Sequence, residues 1–378
     1  MGRSSSYTSS LAALLEAKRL VVLVGEGGVG KTSTAAALAY GQALAGRDVA
    51  VLTVDPAPRL GDALGISKLD GAPCRVALPA TPNTAGSLVA MRLDAKHTFD
   101  RMVERYAPTR DAAEALLRHP VYQAVSGSLG GSEHYMAFQH LAELAESAEH
   151  DLLVIDTPPA VTVSELLAAP ARLAGLFDAG ALSILAEPAR LLARATNALA
   201  RASLSLVLAV VGRVAGDSLK ADVGEFVRLF SDILAGLEDN TRTINNLLRS
   251  RQTAFVMITR PRDGDVARAI ALRKELAGVG LRIDAIVVNR LTPPGMPPLP
   301  SRAERLADAL PQVNSAIRLM EREMDSLRRT EAKALARLRA AMVGADAPVV
   351  IPLASLDVDV ATLEDIATLA RGLFGGAQ

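Results

Sequence analysis

The chain has 378 residues, half of them apolar and 22% charged, which is enough for one large α/β domain or two smaller ones with a real core. Its 41 Lys and Arg balance its 41 Asp and Glu, so no global field draws it to nucleic acid or to an anionic membrane. The single cysteine, Cys74, excludes an internal disulfide framework and an all-cysteine metal site within one chain, and reads as a small half-buried apolar residue.

Nothing behind the stretch Met1–Ser6 resembles a signal peptide, and the longest apolar run, Leu204 to Val211, is far shorter than the roughly 20 residues a membrane span needs. A cytoplasmic protein is expected. Short, nearly continuous apolar runs at Leu20–Val24, Val49–Val54, Leu88–Leu93, Leu152–Ile155, Ala254–Thr259, Ile283–Val288 and Val349–Ile351 read as buried parallel strands. Ala- and Leu-rich helical patterns alternate with them. That alternation predicts right-handed crossovers and an α/β, doubly wound, mostly parallel sheet.

Two intervals carry more helix than a crossover needs, about 94–149 and about 164–251, and are read as helical inserts in a single domain. The second holds Leu219, Val223, Phe226, Val227, Phe230, Ile233 and Leu234 at helical spacing, a stripe that packs on a neighbouring helix or lines a groove for an apolar partner. A third insertion, about 293–343, begins with the proline-rich run Pro293–Pro300. A long helix then runs from Pro311 to about Met342, with a short heptad seam at Val313, Ile317, Met320, Met324 and Leu327 that is broken at Glu331. The segment Leu363–Phe374 reads as the last sheet-covering helix.

The chemistry concentrates at Gly25-Glu26-Gly27-Gly28-Val29-Gly30-Lys31-Thr32, which fits G-x-x-x-x-G-K-[ST] between an apolar strand and a helix. Glycines let successive backbone N–H groups turn inward around a β-phosphate, Lys31 reaches β- and γ-phosphate oxygens, and the Thr32 hydroxyl ligates Mg²⁺. Gly27, Gly28, Val29, Gly30, Lys31, Thr32 and Ser33 form the expected phosphate-binding set, with ATP and Mg²⁺ as cofactors. Two carboxylates follow strands directly, Asp55 in Asp55-Pro56-Ala57 and Asp156 in Asp156-Thr157-Pro158-Pro159. The carboxyl ends of parallel strands form the ligand crevice, so both carboxylates can approach a γ-phosphate and its metal.

These motifs, with Val287-Val288-Asn289-Arg290, resemble in order and spacing the arsenite-pump and tail-anchored-protein-targeting ATPases, the ArsA-like family, whose fold is the deviant P-loop NTPase type. The segments Leu52–Leu60, Thr98–Asp100, Tyr122–Leu129 and Glu133–Ala137 carry the same resemblance, which looks closest to bacterial relatives that occur as paired, non-identical subunits. The resemblance implies a dimeric, nucleotide-gated ATPase. In it Asp55 matches the water-activating aspartate of switch I, and Asp156 the Walker B aspartate on the metal side. Asn289 and the adjoining Arg290 match the adenine-binding segment, and Pro352 matches the proline that flanks the base. The helical inserts match regions that hold a client's apolar helix in targeting members.

The departures are equally specific. Members usually carry a second lysine directly after the first glycine of the loop, reaching across the dimer to the partner's nucleotide, and here that residue is Glu26. Val161-Thr162 stand where glycine and histidine are common in the eukaryotic branch. The CxxC zinc pair and clustered cysteines are absent, so zinc-bridged dimerisation and thiol-based arsenite sensing do not carry over.

His97, His119, His134, His140 and His150 lack ligand spacing and read as helix-surface residues, so no transition-metal site is predicted. Arg194, Arg201 and Arg213, interleaved with the apolar stretch Leu191–Val214, read as the solvated edge of a half-buried helix in preference to a membrane surface.

Three functions stay open. The first is an ATP-hydrolysing dimer, homodimeric or heterodimeric, coupled to an unknown client. The second is a hydrolysis-poor nucleotide-sensing subunit paired with a lysine-bearing paralogue. The third is a partitioning-type ATPase on DNA or membrane, against which the neutral charge counts. No nucleic-acid partner is predicted, and membrane contact is expected to be indirect or peripheral.

Overall fold

The computed structural model describes residues 5–55, 57–79, 86–120, 122–123, 133–157, 242–294, 311–344, 346–356 and 360–375. The stripe at 219–234, the arginines at 194, 201 and 213, and switch II beyond Thr157 lie outside the described residues. The chain divides into two units, 1–91 with 149–160 and 251–378, and 92–148 with 161–250.

The first unit is built on eight strands: β1 (Leu20–Val24), β2 (Asp48–Thr53), β3 (Cys74–Arg75), β4 (Ser87–Arg92), β5 (Leu152–Asp156), β6 (Thr253–Thr259), β7 (Ala285–Leu291) and β8 (Val349–Ala354). Their order across the sheet is β3-β4-β2-β5-β1-β6-β7-β8. Strand β1 pairs in parallel with β5 on one side and β6 on the other. The chain leaves β1 in one direction and returns on its other side, and a crevice opens at such a reversal beyond the strands' carboxyl ends. The predicted strands all form within one to three residues of their expected bounds. The two-residue β3, antiparallel to β4, is the one strand among the described residues that the apolar pattern misses, because it is too short to show a period.

Helices α1 (Ser5–Glu16), α2 (Lys31–Leu44), α3 (Arg59–Leu64) and α9 (Leu363–Phe374) contribute to one continuous core with Val21 and Leu23 of β1. Leu20, Val22 and Val24 alternate to the opposite face, as the pleat requires. Helix α9 starts on a capping box, with the Thr362 and Asp365 side chains each bonded to the other residue's backbone N–H.

Helices α7 (Asp263–Gly278) and α8 (Pro311–Ala341) pack on each other and on β6 and β7 respectively. The predicted long helix is α8. Ala334 and Leu338 are buried in its second half, whereas Met320 and Leu327 of the seam are 54% and 55% exposed. Glu331 interrupts the seam because its carboxylate accepts from both the N–H and the hydroxyl of Thr292, at 2.9 and 2.8 Å. No helix among the described residues is long and apolar enough to cross a membrane.

In the second unit, α4 (Ala95–Tyr106), α5 (Arg110–Arg118) and α6 (Glu133–Ser147) are described, with helical backbone at 242–249. Asp94 and Thr109 cap α4 and α5 by accepting from backbone N–H groups. Phe99 stacks on Tyr122 at 5.4 Å, and the Tyr122 hydroxyl donates to Asp100 at 2.7 Å. The expectation that the histidines are helix-surface residues holds for His97, which is exposed on α4, and is corrected for two others. His119 is buried, and His140 is partly buried beside Glu143.

Candidate nucleotide site

The loop from Gly25 to Gly30 has a conformation that only glycine accommodates at two of its positions. Gly25 has φ 147°, and a Cβ on it would lie 2.3 Å from the carbonyl oxygen of Ile258 on β6. Gly30 has φ 96° and is the N-cap of α2, with no side chain capping the helix. The backbone N–H groups of Lys31, Thr32 and Ser33 in the first turn of this 14-residue helix are therefore available to an anion, at the positive end of the helix dipole.

Lys31 lies under the loop, 6% exposed, and its ammonium donates to the carbonyls of Gly25 at 2.8 Å and Glu26 at 2.9 Å. Burial holds its pKa below the usual lysine range, against the opposing charges of Asp156, Glu26 and Asp55. The lysine is thus desolvated and held among acceptors that phosphate oxygens can replace.

Asp156 closes β5 at 2% exposure. Its Oδ2 accepts from the Thr32 hydroxyl at 2.7 Å and from the Thr53 hydroxyl at 3.2 Å, while its buried Oδ1 has no hydrogen-bond partner among the described residues. Burial pushes its pKa up to about 6, partly offset by the Thr32 bond, the Lys31 charge and the Thr53 bond, with Asp55 adding to the rise. A buried carboxylate with one unpartnered oxygen beside a loop threonine fits a hydrated divalent cation, which prefers oxygen ligands and keeps its waters.

Asp55 follows β2 in a tight turn, where its Oδ1 accepts from the Ala57 N–H at 2.9 Å. Its backbone N–H donates to the Thr53 hydroxyl at 3.2 Å. One hydroxyl therefore accepts from the Asp55 backbone and donates to Asp156. Thr53 was missed in the sequence because a threonine ending a strand reads simply as a strand former.

Asn289 and Arg290 lie in a bulge. Val288 pairs with Pro352 and Leu291 with Ala354, so two residues of β7 stand opposite one residue of β8. Arg290 takes the left-handed φ of 62°, and its N–H bonds the Asn289 side-chain oxygen at 2.9 Å. The Asn289 amide then donates to the Val29 carbonyl of the loop at 2.9 Å, and a Cβ on Gly30 would lie 2.3 Å from that nitrogen. The structure thus brings together Gly27 to Ser33, Asp156, Asp55 and Asn289. Arg290 and Pro352 are exposed beside the bulge, and neither makes a side-chain hydrogen bond to the loop among the described residues.

Residues 18–297 match the family model described as anion-transporting ATPase, the ArsA family. The chain belongs to this family. It is 30% identical over 286 residues to an uncharacterized protein of Streptomyces coelicolor, covering 74% of this chain and 64% of that protein. An ATPase GET3 of Malassezia globosa is 32% identical over 135 residues, 36% of this chain and 37% of that ATPase. An ATPase ASNA1 homolog of Cryptosporidium parvum is 25% identical over 285 residues, covering 75% and 68%. The chain therefore spans less than two thirds of the first two relatives. The family model runs through the phosphate loop, Asp55, Asp156 and the Asn289 bulge, and stops short of α8.

Proposed function

We propose that this chain is a cytoplasmic ATPase in which a single P-loop domain with helical inserts binds Mg·ATP and hydrolyses it. Loop N–H groups and Lys31 hold the phosphates. Thr32 and Asp156 would hold Mg²⁺, which would supply charge neutralisation on the phosphates. Asp55 orients the attacking water. Asn289, Arg290 and Pro352 form the base side. Hydrolysis is coupled to the opening and closing of a dimer and to a client or partner.

One observation carries this reading. The loop threonine, the Walker-type aspartate and the switch aspartate share a continuous hydrogen-bond chain, Thr32–Asp156–Thr53–Asp55, although more than 100 residues separate Asp156 from each of the others. Asp55→Asn is expected to lower steady-state phosphate release about 10²-fold while nucleotide affinity changes less than about threefold, as loss of a general base does. Unchanged phosphate release would sink the catalytic role.

A second reading is favoured by Glu26. Its carboxylate lies 3.8 Å from Arg268 of α7, so the position where the family resemblance implies a lysine is occupied by an acid with a cationic neighbour in its own chain. This supports a heterodimer in which a lysine-bearing paralogue completes the site here. Mixing the two chains is expected to raise ATP hydrolysis at least fivefold over the sum of the separate chains. A homodimer of this chain working at the full rate of the mixture would refute it.

A further inference from the structure

Two arginines flank the phosphate loop, and each is paired with an acid of the same site. Arg268 is held twice. It faces Glu26 at 3.8 Å and also bonds Asp265, a buried carboxylate that accepts from Arg260 at 2.7 Å as well. Arg59, the first residue of α3, has a single partner among the described residues, with its Nη1 3.4 Å from Oδ2 of Asp55. The Arg59 side chain is 67% exposed against 21% for Asp55. It therefore swings at little packing cost, and a surface pair of this kind is worth only about 0–1 kcal/mol.

The charges around the loop are unbalanced. Magnesium triphosphate remains net negative, and Asp55, Asp156 and Glu26 add three further acids around the single loop lysine, Lys31. Arg59 is tied to the site through Asp55, whose backbone N–H bonds the Thr53 hydroxyl that in turn bonds Asp156 beside Thr32. A guanidinium binds a phosphoryl group through two parallel hydrogen bonds, a stronger match than the 3.4 Å contact it makes with Asp55.

We propose that Arg59 is the cation that recognises the third phosphate, leaving Asp55 for γ-phosphoryl oxygens and supplying from within the chain the positive charge that Glu26 cannot. The inference rests on the nucleotide-binding reading of the loop and extends it to discrimination. A diphosphate reaches the loop amides and Lys31 but offers Arg59 no γ-oxygens, so the Arg59–Asp55 pair persists. A triphosphate draws Arg59 away, and the Asp55 carboxylate is then free to take a water. The water-orienting acid becomes available only when there is a phosphate to attack.

The test compares dissociation constants for Mg²⁺ with a non-hydrolysable imidotriphosphate and for Mg²⁺ with ADP, by calorimetry, on the full chain. For Arg59→Ala we expect about tenfold weaker triphosphate binding and less than about twofold change for ADP, with Arg59→Lys, which keeps the charge but not the paired hydrogen bonds, recovering only part of the loss. Equal weakening of both nucleotides, or unchanged or tighter triphosphate binding, overturns the role of Arg59 and leaves the loop reading standing. A wild-type chain that binds neither nucleotide overturns both. Since Arg59 is largely exposed, the variants are expected to melt within about 2 °C of wild type, and the Lys variant reports charge independently of any effect on folding.

Discussion

Lys31→Ala is expected to weaken nucleotide binding about 10³-fold while leaving the melting temperature measured without nucleotide unchanged or slightly raised. The first effect follows from Coulomb's law. A unit charge about 4 Å from a phosphate oxygen, at an effective dielectric of about 20, contributes on the order of 4 kcal/mol, and about 1.4 kcal/mol is tenfold in affinity. The second effect follows from the lysine's surroundings. Its ammonium is desolvated and held below the usual lysine pKa, so the folded chain bears a cost that alanine removes. Titration with a fluorescent nucleotide and a thermal melt on the same preparation separate the two. An affinity within about threefold of wild type would show that the ammonium does not meet phosphate.

Asp156→Asn is expected to act in opposite directions on stability and on metal-dependent binding. In the folded chain the carboxyl keeps its proton up to about pH 6, against an ordinary 3.8. Between about pH 4 and 6 the folded state therefore binds more protons than the unfolded state, and stability falls as pH rises through that window. The interval corresponds to about 3 kcal/mol, lost by pH 7 in the wild type and retained by the amide. Melting curves of the two proteins should coincide near pH 4 and separate by several degrees at pH 7, the variant melting higher. The same substitution removes the charge that faces the cation, so the part of nucleotide affinity that depends on Mg²⁺ should fall about 10²-fold. Parallel pH profiles for the two proteins would show that Asp156 is not the group that carries the buried charge.

The sheet was legible because both of its faces are covered. Strands such as Leu20–Val24 and Leu152–Asp156 are fully buried, and full burial leaves an uninterrupted apolar run in the sequence. The phosphate loop was legible because its geometry demands glycine at fixed steps from a lysine. Thr53 and Arg59 were not, since their meaning lies in partners rather than in local pattern. A hydroxyl that serves Asp55 and Asp156 at once cannot be told from any strand-ending threonine, and Arg59 looks like a solvated charge after a proline turn. Helix α1 also escaped the reading, although its Leu11 and Leu15 are completely buried, because a short Ser-rich terminus carries too few apolar residues to show a helical period. The seam on α8 was read correctly as helical spacing, but spacing does not reveal which half of a helix is covered. Ala334 and Leu338 are buried, whereas Met320 and Leu327 are exposed.

The extra residue in β7 acts as a phase shifter. From Ala285 to Asn289 every position is buried, so a polar side chain there would ordinarily displace an apolar one from its layer. By placing Arg290 in a left-handed turn, the strand steps out of alternation for one residue and rejoins its neighbour at Leu291 opposite Ala354. The apolar layers on both sides of the sheet are kept, and Asn289 is aimed at the Val29 carbonyl. The Asn289 amide beside this left-handed arginine thus fastens the phosphate loop to a strand two places away from β1 in the sheet.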